Sequence, residues 1–106
     1  MTRSEILVNA MRCVNGDREQ QYGNPENNFM TIARFWTAYL NASGAGDGAS
    51  VTIRCQDVAA MMSLVKIARI ATGAQKDDNW VDLAGYAACG GELGSGDDPI
   101  KRSCDG

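Results

Sequence analysis

The 106-residue chain has no histidine. That absence removes Ser-His-Asp and Cys-His catalysis, both of which need an imidazole to carry the proton, and every zinc site built on histidine. Four cysteines are present, Cys13, Cys55, Cys89 and Cys104, but they lie far apart with no C-x-x-C pair, so the usual ligand spacing of a zinc site is missing. All four are expected to be reduced thiols, and Cys13 and Cys89, in apolar helical stretches, read as small core residues. No apolar run approaches the roughly 20 residues of a membrane span, and the opening MTRSEIL lacks an apolar signal segment. A cytoplasmic protein with no membrane partner is expected. Clustered positive charge is lacking too: the ten Lys and Arg residues are scattered and the net charge is −3, which argues against duplex nucleic acid as a partner. No stretch alternates with the period of a strand, and no repeat is visible.

What is present is globular: 44% hydrophobic and 22% charged residues, the composition of a chain that folds. The length allows one small domain. A chain this short often buries its remaining apolar surface against a second copy, so self-association as a homodimer or higher is expected.

Taken in order, Thr2-Arg3-Ser4-Glu5 matches a capping box, and Ile6, Leu7, Ala10, Met11 and Val14 predict a first helix to about Asn15, ended by Gly16. The connector DREQQYGNPENNF, residues 17–29, runs into a second helix with Asn24 as N-cap and Pro25 at the first helical position. Helix two carries Phe29, Ile32, Ala33, Trp36 and Leu40 on one face, flanked by Phe35 and Tyr39, and stops at Asn41. The glycine-rich ASGAGDGAS reads as a flexible loop. A third helix is predicted from Gln56 to about Thr72 and a fourth from Asp77/Asp78 to Gly90. The expected architecture is all-α: a compact bundle of about four short helices with a Gly-rich loop, a single domain over 1–90 and a mobile tail over 91–106.

The unusual feature is the pairing of the last two helices. On a wheel of about 100° per residue, Val58, Met61, Met62, Val65 and Ala68 form one apolar face, with Arg69 inside it and Lys66 at its edge. A buried guanidinium must be paired. Asp78, Asp82 and Tyr86 stand four apart on the facing helix, which makes Arg69 and Asp82 the expected pair. Such a pair is either a functional site or only a structural contact between helices, and the residues alone leave both readings open. Exposed amides at the start of helix two form a natural anion site, to which Arg18, Asn27 and Asn28 would add side-chain donors; the alternative is that Asp17, Arg18 and Glu19 are a solvated turn and Tyr22 a plug over the core.

These residues together resemble a known family. DR-x3-YG-N-PE-x-NF at 17–29, Trp36, YL at 39–40, DVA-x-MM-x2-VKIAR at 57–69 and DNWVDLAGYA at 78–87 look like a set of small all-α proteins from tailed phages and prophages whose function is recorded as unknown. The resemblance covers about residues 5–90. The shorter skeleton, YG, then K-I-x-R-I, then D-x3-D-x3-Y, is also similar to a nucleotide-modification-associated phage domain and, more loosely, to MazG-type all-α nucleoside triphosphate pyrophosphohydrolases. That wider likeness implies a nucleotide-like ligand between helices. MazG-type enzymes hold magnesium with an E-x-x-E pair and an E-x-x-D pair, whereas here only Asp78 and Asp82 stand at ligand spacing.

The leading expectation is therefore a phage-type binding protein that holds, and for a phage would sequester in counter-defence, a small phosphorylated nucleotide-like molecule without hydrolysing it and without a cofactor. Lys66, Arg69 and Arg18 would contact phosphate, with arginine favoured for its bidentate fork. Tyr22 or Trp36 would stack on a base, Asp82 would orient Arg69 or accept from sugar hydroxyls, and Asn28 and Tyr86 would complete the site. Two alternatives stand beside it. One is a magnesium-dependent pyrophosphohydrolase with Asp78 and Asp82 as metal ligands; the other is a structural or interaction subunit with no ligand.

Overall fold

A computed structural model describes residues 1–17, 25–73 and 76–94. Among them are four α-helices and no strand: α1 over Arg3–Arg12, α2 over Pro25–Ser43, α3 over Cys55–Ala71 and α4 over Asp77–Leu93. The all-α expectation is met.

The Thr2 capping box forms as the sequence predicts. Glu5 N donates to Thr2 Oγ1 at 3.1 Å and Thr2 N donates to Glu5 Oε1 at 3.2 Å, satisfying two of the orphan amides that open a helix. The backbone amide that Thr2 supplies, followed by its hydroxyl, lowers the Glu5 pKa below its ordinary 4.5. After Arg12 the chain does not stop but widens into a π-helical turn over Cys13–Asp17. α2 begins at Pro25 as predicted and runs two residues past Asn41, to Ser43.

The glycine-rich connection after α2 turns through Gly44, Asp47 and Gly48, all at positive φ. Its exit is tied down. Asn41 donates through Nδ2 to Val51 O at 2.9 Å and accepts from Val51 N at 2.8 Å, while Thr37 Oγ1 accepts from Ile53 N at 2.8 Å. Thr37 and Asn41, one turn apart on α2, thus serve the extended segment 51–53 as a neighbouring strand would. That fixes where α3 starts.

α3 and α4 form an antiparallel hairpin, and α2 packs against α3. The core they share consists of Phe29, Ala33, Cys55, Val58, Ala59 and Leu93, with Met30, Ile32, Trp36, Met62, Tyr86 and Cys89 packed around it. Gly90 lets the two backbones close up, since a Cβ there would stand 3.2 Å from Ala59 Cβ. α1 runs along α4 in the same direction: the Met1 ammonium is 3.1 Å from Asp77 Oδ2, and Val14 lies over Gly85. Ala10 is the buried contact of α1, whereas Leu7 and Met11 point outward.

Two boundaries move. The last helix continues past Gly90 to Leu93, and Leu93, 1% exposed, is among the largest fully buried side chains. Residues 91–93 therefore belong to the folded unit, because a leucine one turn beyond Gly90 returns to the α3 face; 95–106 lie outside the described residues. Cys13 and Cys89 are free thiols, but Cys55 is disulfide-bonded, a departure from four reduced cysteines. No helix among the described residues is long and apolar enough to cross a membrane.

Candidate functional site

The α3–α4 hairpin is in register over its whole length, and its polar residues fall on the seam. At the outer end Gln56 Nε2 donates to Gly90 O at 3.0 Å. Next come Ser63 and Tyr86, which border an open cleft of about 350 Å³ with Ala59, Ala60, Ala87 and Gly90. One turn further Lys66 Nζ meets Asp82 Oδ2 at 3.0 Å, and beyond that Arg69 Nε donates to Asn79 Oδ1 at 3.1 Å.

This register corrects the expected pairing of Arg69 with Asp82. Each step of three or four residues forward on α3 is matched by a like step back on α4, so Lys66 stands opposite Asp82 and Arg69 falls opposite Asn79. The face of α3 is rotated as well. Cys55, Val58 and Ala59 are buried and Met62, Ser63, Lys66 and Ile70 half-buried, while Met61, Val65, Ala68 and Arg69 are exposed. The predicted apolar face with Arg69 inside it is thus partly the outer face. α3 is apolar nearly all round, which leaves little angular signal to choose a face.

Lys66 and Asp82 are 16% and 13% exposed, so their pair is mostly withdrawn from water and each neutralises the other. Arg69, exposed, has its Nε held by Asn79, leaving the four terminal N–H donors of the guanidinium for another acceptor. Asn79 is the one buried polar residue among the described residues, at 2%. Sequence reasoning passed over it, although its spacing of three from Asp82 and seven from Tyr86 puts it on the same line. No buried side-chain nitrogen or oxygen among the described residues lacks a partner.

The start of α2 reaches this seam. Phe29 and Tyr86 have ring centroids 6.1 Å apart, tilted by 39°, and Tyr86 is one turn from Asp82. Asn28, adjacent to Phe29 and exposed, comes with it. Of the predicted site residues, Lys66 and Asp82 meet directly, Arg69 lies one turn further along the seam at Asn79, Tyr86 one turn back from Asp82 at the cleft, and Asn28 is exposed near the start of α2. Trp36 packs against the core cluster instead. Arg18 and Tyr22 lie outside the described residues.

Among the described residues the donor set does not fit the magnesium site of the hydrolase alternative. Asp82 is engaged by Lys66, Asp78 is an exposed first-turn residue, and among the described residues no group of three His, Cys, Asp or Glu side chains could hold a metal. Magnesium held by protein carboxylates needs oxygens directed at one point.

Comparison with known proteins agrees with the pattern of motifs. A model described as "Domain of unknown function (DUF6378)" matches residues 5–94. The Gene 55 protein of Mycobacterium phage D29 is 38% identical over 84 residues, 79% of this chain and 50% of that protein. The Gene 55 protein of Mycobacterium phage L5 is 40% identical over 82 residues, 77% of this chain and 47% of its own length. The chain thus spans about half the length of the curated relatives it matches. No solved structure matches. The chain belongs to the DUF6378 family, a phage protein family of unknown function.

Proposed function

We propose that the protein binds a small phosphorylated, nucleotide-type molecule at the Lys66–Arg69 end of the α3–α4 hairpin and does not hydrolyse it. The observation that carries the reading is the Phe29–Tyr86 ring contact, which brings the second turn of α2 to the turn of α4 that follows Asp82. A helix N-terminus presents amide donors and the positive end of its dipole to an anion, and here it is accompanied by an exposed arginine that is oriented by Asn79 but not saturated by it.

In this reading Arg69 contacts phosphate through its terminal nitrogens, with Asn28 adding a side-chain donor. Lys66 and Asp82 act as a fixed pair in which the carboxylate holds the ammonium in place. Tyr86, on the edge of the small-residue cleft, takes the place expected of Trp36 beside a base. Binding without turnover is supported by the acid set, in which Asp82 is held by Lys66 and Asp78 is exposed in the first turn.

The test is a thermal-shift screen against mononucleotides, dinucleotides and cyclic nucleotides, with and without magnesium, followed by mass analysis of each hit. A ligand at 100 times its Kd adds about 2.7 kcal/mol of stability, several degrees for a domain of this size. An unchanged ligand bound without magnesium is the expected result. Arg69→Ala should abolish the shift while costing about 1 kcal/mol of stability for the lost hydrogen bond to Asn79. A product formed only with magnesium would make the protein a hydrolase, and no hit in the screen would favour an interaction subunit.

A further inference from the structure

Many large apolar side chains of the bundle stand at its surface. Among the described residues only Phe29, Val58, Val81 and Leu93 are buried large hydrophobics, whereas Leu7, Val8, Met11, Phe35, Tyr39, Met61, Leu64, Val65, Ile67 and Trp80 are exposed. Scattered exposed apolar residues need no explanation, but a contiguous stripe does. α3 has one: Met61, Leu64, Val65 and Ala68 are all exposed at the i, i+3, i+4, i+7 spacing of a helix seam.

We propose that this face of α3 joins a second copy of the chain, α3 against α3, antiparallel about a two-fold axis passing between Leu64 and Val65. The occupant is argued from the stripe's complementarity to itself. In a two-fold interface residue i meets j and j meets i, so this axis sets the long Met61 of each copy against the small Ala68 of the other, and Leu64 against Val65. It also brings the acidic first turn of each α3, with Asp57, toward the basic last turn of the other, with Arg69. A parallel pairing would put like charges together.

Lys66 faces Asp82 of α4 rather than this stripe, Arg69 borders both, and the oligomeric state is read without any ligand.

Sedimentation velocity on the full chain, from low micromolar concentration upward, tests it. The expected species has twice the 11.3 kDa chain mass. Leu64→Glu should sediment as a monomer with its helical circular dichroism retained, and Leu7→Glu, on the equally exposed but distant α1, should remain dimeric. A monomeric wild type, a dimeric Leu64→Glu variant, or equal dissociation by Leu7→Glu would overturn the proposal. Should Leu64→Glu lose its helices, Leu64→Ala decides: its dimer Kd should rise roughly tenfold or more, and an unchanged Kd rejects the interface.

Discussion

At the Gly90 end of the α3–α4 hairpin, Cys55, Val58, Ala59 and Leu93 close on one another, and Gln56 is satisfied by a backbone carbonyl. At the opposite end the same two helices meet through Lys66, Asp82, Arg69 and Asn79. The first end holds by excluding water from small, shape-matched surfaces. The second holds by pairing charges that are costly to bury and that bring little net stability. One helix pair thus separates an apolar end from a polar one, and that separation is testable.

The largest effect should come from the apolar end. Leu93→Ala removes a fully buried side chain, and such truncations cost about 2–5 kcal/mol, a large share of the about 5–15 kcal/mol that holds a domain folded. Urea denaturation should show a lower midpoint at unchanged m-value. A near-neutral result would place Leu93 outside the cooperative unit.

At the polar end the effects should be smaller and non-additive. Asp82→Ala strands Lys66 in its half-buried position and is expected to cost about 1–3 kcal/mol. The double change Lys66→Met with Asp82→Leu should recover most of that loss, because an apolar pair needs no partner. If the double variant regains stability but loses the ligand-induced thermal shift, the ion pair serves binding. If it retains both, the pair is structural.

The smallest effect concerns neither end. Glu5 is stabilised as a carboxylate by the Thr2 amide and hydroxyl, so its folded pKa is below the unfolded one. Its contribution is present above the ordinary 4.5 and is lost as pH falls through the lower folded value. Below that pH the amide exchange of the first turn of α1 should quicken, and Glu5→Gln should remove the pH dependence.

Much of this architecture was readable in residue spacing. Thr2 and Glu5 announced the first cap, Pro25 the start of α2, and the repeat of Phe29, Ala33 and Trp36 its inner face. The face of α3 was not readable, because Met61, Leu64, Val65 and Ile67 are as apolar as Val58 and Met62, and a helix apolar on every side does not say which side faces in. Asn79 was missed for a related reason: a lone amide carries no sign of burial until the facing helix supplies Arg69.

The sequence by itself determined that the chain is helical, where most helices begin, that it lacks histidine chemistry, and which family it belongs to. These properties follow from local spacing and composition, and each is decided within a few turns of chain. Only the tertiary structure decided that Lys66 rather than Arg69 meets Asp82, that Arg69 stays at the surface, and that Leu93 closes the core. Those outcomes depend on the register between α3 and α4, which the close approach at Gly90 sets and which no single helix contains.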